Sequence, residues 1–115
     1  MLKSSPQQLA IDLLNRSVCS VQVAAVIFDN HGIAAWGWNS QGSTGFGECA
    51  EIAAIRRSNR NRLFNSSIVV VGRRKRNGNI VITFPCGNCL KRLKKVGIST
   101  VILQDKQSNW FKVRI

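Results

Sequence analysis

At 115 residues and 44% apolar content the chain is sized for a single compact domain, 1–115, whose core needs no disulfide staples. No apolar run approaches the ~18 residues of a membrane-spanning helix, so no membrane partner is expected. Seventeen Lys and Arg against five Asp and Glu leave a net charge of +12, a field that attracts nucleic acid, nucleotides or other polyanions.

The opening stretch MLKSSPQQLAIDLL holds a Lys but no long apolar core, so no signal peptide is expected. The chain reads as intracellular, with the cytoplasm as the expected location and the nucleus or a virus-infected cell as other settings. In that compartment four cysteines point to metal binding or catalysis before disulfides.

Residues 6–17 predict a helix, with Leu9, Leu13 and Leu14 near helical spacing and Pro6 suited to a first turn. The β-branched run VQVAAVIFD, the turn DNHG and the return IAAWGW predict a hairpin over 21–38. A Gly-rich loop follows, and from Cys49 the pattern becomes helical, with Ile52, Ala53 and Ile55 apolar and Arg56, Arg57 and Arg60 outside. SIVVVG (67–72) predicts a strand, Asn77 and Gly78 a turn, and NIVITF a further strand running into PCGNC. CLKRLKKVG predicts a helix with Leu90, Leu93 and Val96 inward and Gly97 as its stop; STVILQ and WFKVRI are the last strand candidates. This order predicts an α/β domain with one mixed sheet.

Cys86 and Cys89 form a C-x-x-C at the start of a predicted helix, after Pro85. Alone, that spacing fits a zinc knuckle, a thioredoxin-like redox pair or an accident. The redox reading expects the pair after the first strand of a different element order. Cys49 supplies a third thiolate, one short of a purely structural zinc site, and three protein ligands are the mark of a catalytic zinc. Thiolates at two helix starts are stabilised by the positive ends of both helices. Glu51, two residues after Cys49, is placed for general acid/base work without being a ligand. Glu48 is the acid better suited to a helix N-terminus, with contact to substrate the other reading.

CAE at 49–51 followed by PCGNC at 85–89 resembles the signature of the zinc-dependent cytidine deaminase superfamily. That superfamily takes in cytidine and deoxycytidylate deaminases, tRNA adenosine deaminases and polynucleotide cytosine deaminases. The resemblance spans roughly residues 6–104. It implies a cytidine deaminase-like three-layer α-β-α fold, one mixed sheet of about five strands with helices on both faces. It implies one Zn2+ per chain on Cys49, Cys86 and Cys89, and Glu51 as the catalytic proton shuttle between water, ring nitrogen and departing amine. Asn39 matches a residue that contacts sugar or base, and Ala50 one whose backbone N–H meets the base carbonyl. Trp38, Phe46 and Phe84 are candidates to wall or stack on the base, with plain packing the alternative for each.

Small members with three Cys ligands carry an Arg just after the Glu; here that position is Ile52. The opposing charge is then expected from helix N-termini or a basic residue such as Arg92. Arg73, Arg74, Lys75 and Arg76 form a basic turn resembling one in deaminase-like proteins of phages and large viruses. It is a candidate phosphate-binding hairpin, an exposed charged turn being the other reading. Cys19 is expected as a buried small apolar residue, and His31 as a surface turn residue.

The function so implied is zinc-dependent conversion of cytosine to uracil with release of ammonia, in a nucleotide or in single-stranded DNA or RNA. The alternatives are adenosine-to-inosine deamination of RNA, suggested by GWN at 37–39, and an inactive nucleic-acid-binding member of the fold. Small relatives imply a homo-oligomer.

Overall fold

The computed structural model describes residues 5–41 and 47–115. Strands β1 (Val21–Asp29) and β2 (Gly32–Trp38) form the expected antiparallel hairpin, with one register shift between Ile27 and Phe28. On its other side β1 pairs antiparallel with β3 (Ser67–Arg74) along its whole length. The far edge of β3 is shared: β5 (Thr100–Gln104) pairs parallel to residues 67–70, and β4 (Ile80–Val81) pairs antiparallel to Gly72 and Arg73. β6 (Trp110–Arg114) closes the order β2-β1-β3-β5-β6 antiparallel to β5.

The period of two along the strands sends alternate residues to opposite cores. Ala25, Ile27, Ile68 and Val70 face α2 (Ala50–Arg57) and α3 (Gly87–Lys95). Ala24, Val26, Val69 and Val71 face α1 (Pro6–Leu13), which continues as a 3-10 turn, Leu14–Arg16. Ser5 caps α1 by accepting from the Gln8 N–H at 3.0 Å, with Pro6 in the first turn. The three layers are those expected; the sheet has six strands rather than about five. NIVITF contributes only Ile80 and Val81 to the ladder. Beyond them the Thr83 hydroxyl donates back to the Val81 carbonyl, and the chain peels away toward α3. Gly72 leaves the room that the Thr83 side chain fills. No helix among the described residues is long and apolar enough to cross a membrane.

One seam fixes the distance between the hairpin and α2. A Cβ built on Gly37 would lie 2.6 Å from the Ala54 nitrogen, 2.7 Å from the Ala53 Cβ and 2.8 Å from the Ala50 carbonyl oxygen. Gly37→Ala therefore drives α2 off the sheet, and is expected to lower stability by about 1–3 kcal/mol in denaturant titration. Because Ala50 follows Cys49 directly, the same variant is expected to hold metal less tightly.

Arg62 pins the turn between β1 and β2, its guanidinium donating to both carboxylate oxygens of Asp29 at 3.0 and 2.7 Å and to the Gly32 carbonyl at 3.1 Å. Hydrogen bonding from Arg62 holds the Asp29 carboxyl at about 2, below its usual 3.8. A carboxyl depressed in the folded state contributes stability above its unfolded pKa and loses it as the pH falls through the folded one. Wild type is therefore expected to lose melting temperature more steeply than Asp29→Asn between about pH 4 and pH 2.

Candidate metal centre and catalytic cavity

Both helices of the lower layer begin at a cysteine. Cys49 is the N-cap of α2 and Cys86 the N-cap of α3, each with extended backbone and with its carbonyl accepting the first helical bond. Cys89 lies one turn into α3 and is buried, whereas Cys49 and Cys86 are exposed. Their three sulfurs lie within 4.8 Å of one another. Zinc–thiolate bonds of ~2.3 Å in tetrahedral geometry place sulfurs roughly 3.8 Å apart, so a small contraction closes the three around one ion. Soft thiolate donors, three in number with a side left open, fit a catalytic Zn2+, one per chain.

The sulfurs differ in their surroundings. The Cys89 backbone N–H, with help from the Cys89 thiol and the Asn88 N–H, lowers the pKa of Cys86. Burial raises those of Cys49 and Cys89, the latter further through hydrogen bonds with Cys49 and Cys86, whereas the hydrogen bond with Cys89 works against the rise at Cys49; the Glu51 charge raises both. A bound cation reverses that balance, because a coordinating thiol is deprotonated outright.

Glu51 is in the first turn of α2 and only 5% exposed, with burial pushing its carboxyl up from the usual value. It shares a cavity of about 170 Å³ with the three cysteines, Ala50, Asn39, Val23, Thr83 and Phe84. Phe84 stands at the mouth, 45% exposed. Among the described residues no cationic side chain lines this cavity. The positive potential that the thiolates need comes from the N-termini of α2 and α3, which converge on the sulfurs.

Several side chains stand elsewhere than the sequence led us to expect. Arg92, expected to offset the thiolate charge, is exposed in the second half of α3, in a different cleft. Ile52, by contrast, packs against the core as its apolar place in the helical pattern predicts. Trp38 does not line the cavity. Alternation along β2 turns Gly37 toward α2 and Trp38 toward the α1 core, where the Arg57 and Arg16 guanidinium carbons lie 4.4 and 5.8 Å from its ring centroid. Glu48 also points away, held by Arg56 through two hydrogen bonds of 2.9 and 3.0 Å that lower its pKa. Cys19 is half-buried rather than buried, His31 is exposed in its turn, and Phe46 lies outside the described residues.

Asn39 does line the cavity, but its side chain is largely committed to the protein. Its Oδ1 accepts from the Ser17 hydroxyl at 2.6 Å and the Val23 N–H at 2.9 Å, and its Nδ2 donates to the Val21 carbonyl at 2.9 Å. One amide hydrogen is left for a ligand. Sequence reasoning missed Val23 and Thr83 as lining residues and Ser17 as the residue that orients Asn39. Thr83, two positions before Pro85, was within reach of the motif; Ser17 carried no signal. Of the basic turn, Arg73 is tied down, donating to Gln22 Oε1 at 2.9 Å and Asn15 Oδ1 at 2.8 Å, while Arg74, Lys75 and Arg76 are exposed.

Comparison with known proteins agrees with this arrangement. Among solved structures, cytidine deaminase from Burkholderia pseudomallei superposes with a TM-score of 0.72 at 18% identity, over 99% of this chain and 93% of that one. Cytidine deaminases from Mycobacterium leprae and Mycobacterium tuberculosis give TM-scores of 0.62 and 0.61 at 19% and 18% identity. They cover 92% and 91% of this chain, and 88% and 83% of their own. At such identities the likeness is one of fold. No curated protein sequence matches. Residues 4–105, which hold all three thiolates and Glu51, match the family described as the cytidine and deoxycytidylate deaminase zinc-binding region, and the chain belongs to that family.

Proposed function

We propose that this chain hydrolytically deaminates the cytosine base of a phosphorylated substrate, giving uracil and ammonia. The observation that carries the reading is Glu51, buried beside three convergent thiolates in one small cavity. When bound, zinc supplies the Lewis acidity that makes water a nucleophile at neutral pH.

Glu51 takes the proton of the attacking water and delivers it to the ring nitrogen. It then takes the second proton, from the hydroxyl added at C4, and passes it to the amine as the C4–N bond breaks and ammonia departs. Burial suits this work, since it raises the pKa of the Glu51 carboxyl above its usual value and makes the carboxylate a better proton acceptor. The Ala50 backbone and the free Asn39 amide hydrogen orient the ring, and Phe84 covers its exposed face.

The size of the cavity supports a base-only pocket. About 170 Å³ falls below the ~300–1,000 Å³ of typical ligand sites, so one ring enters while sugar and phosphate stay outside. On the α1 side of the sheet lies a groove lined by Asn15, Ser17, Gln22, Arg73 and Lys75. Ser17 belongs to that groove and also donates to Asn39, so a single hydrogen bond joins the two sites. Anchored Arg73 and exposed Lys75 make the groove a fitting seat for phosphate.

Steady-state kinetics on cytidine and dCMP test this reading. dCMP is expected to have the lower KM, and Lys75→Gln to erase most of that advantage without changing KM for cytidine. Equal KM values for the two substrates in wild type would refute the phosphate seat.

A further inference from the structure

Two of the three basic runs in the sequence, 56–62 and 91–95, meet in the fold although some thirty residues separate them. Arg60 from the first and Arg92 and Lys95 from the second line one cleft of about 520 Å³, floored by Ile55, Leu63 and Val96. Other arginines of the first run are neutralised, Arg56 by Glu48 and Arg62 by Asp29. Among the described residues no carboxylate forms an ion pair with Arg60, Arg92 or Lys95.

Next in sequence to Leu63 is Phe64, 76% exposed, which lines a separate groove with His31, Asn61, Arg62 and Asn65. Its ring lies against Gly97, where a Cβ would fall 2.9 Å from a ring carbon, so the aromatic side chain is backed by main chain on one side and open to solvent on the other. Cations around an apolar floor with an adjoining open aromatic ring are the ingredients of a single-strand binding surface, where phosphates meet the cations and a base stacks on the ring.

We infer that this cleft at the C-terminal ends of α2 and α3 binds the backbone of single-stranded nucleic acid, with Phe64 as a stacking platform. It rests on the deaminase reading for its consequence, which is that the substrate is a polynucleotide. Both helices start at the zinc ligands and finish at this cleft, so eight or nine residues put the two sites roughly 12 Å apart. At ~3.4 Å per stacked nucleotide that is three to four steps along a strand. A mononucleotide in the catalytic cavity leaves the cleft unused. Lys and Arg at helix C-termini also complement the helix dipole. That role accounts for Arg92 and Lys95 but gives no place to Arg60 on the neighbouring segment or to an outward Phe64.

The test is fluorescence anisotropy of the zinc-loaded chain with a labelled oligothymidylate of about 16 nucleotides, which has no cytosine and so reports binding without turnover. The combined variant Arg60→Gln, Arg92→Gln, Lys95→Gln is expected to reduce the slope of log affinity against log salt by about 2. Phe64→Ala is expected to weaken binding roughly 5- to 150-fold. Thermal melts and dCMP turnover should match wild type in both. An unchanged salt slope and affinity in the triple variant would overturn the inference. So would retention on phosphatidylserine vesicles through the same three residues with no affinity for the oligonucleotide. A chain that deaminates no cytosine substrate, yet loses oligonucleotide binding in the triple variant, would refute the deaminase reading and uphold this cleft.

Discussion

Glu51→Ala is expected to lower kcat by roughly 10²–10⁴-fold while the protein keeps its zinc. The size of the loss follows from what the side chain does alone. Among the described residues that line the catalytic cavity Glu51 is the sole carboxyl group, and Asn39 and Thr83 cannot accept and return a proton in its place. Retention of metal follows because Glu51 is not among the three side chains whose ligand atoms cluster. Glu51→Gln keeps the volume of the side chain and removes its acid/base capacity, so it should fall with Glu51→Ala in kcat. A Gln variant that keeps wild-type turnover would show that the carboxyl is needed only for packing. Metal analysis beside steady-state rates makes the check.

Cys89→Ala is expected to have the second large effect, abolishing stoichiometric zinc and turnover together. Cys89 is the buried member of the trio, on the inner face of α3, and its loss leaves two exposed thiolates that cannot close the site. A ligand that binds only the folded state stabilises it by RT ln(1 + [L]/Kd), about 3–4 kcal/mol when free zinc exceeds Kd by 100- to 1,000-fold. Wild type with zinc should therefore melt well above the same protein with a chelator. Cys89→Ala should melt at one temperature in both conditions. Calorimetry with and without zinc reads the difference directly.

The metal centre was legible in the sequence because its chemistry is local. Cys49 and Glu51 are two residues apart, Cys86 and Cys89 three apart, and each pair sits at a helix start that caps and apolar spacing predict. The strands were legible for the same reason, their alternation being written into VQVAAVIFD and SIVVVG. What eluded the sequence depends on contacts between distant segments. Arg92 is six residues past Cys86, which reads as proximity along the chain, but α3 carries it to the other end of the helix layer. Trp38 sits one residue from Asn39, yet the period of two turns it into the opposite core. NIVITF has the composition of a full strand, but β5 already occupies the remaining edge of β3, so only two of its residues find partners. Ser17 orients Asn39 from 22 residues away, a pairing that no local pattern encodes.

The charge balance of the site follows the same logic. With Ile52 after Glu51, no cationic side chain among the described residues lines the cavity with the thiolates, and the two helix N-termini capped by Cys49 and Cys86 offset their charge. The arginines near α2 are committed elsewhere, Arg56 to Glu48 and Arg57 to Trp38 and the Trp36 carbonyl.

The most direct measurement of the central claim is ammonia release by the zinc-loaded chain supplied with dCMP and with a cytosine-containing single-stranded oligonucleotide. Ammonia formed in step with uracil, and lost in Glu51→Gln, is the predicted result. Full zinc occupancy with no ammonia from either substrate would contradict it.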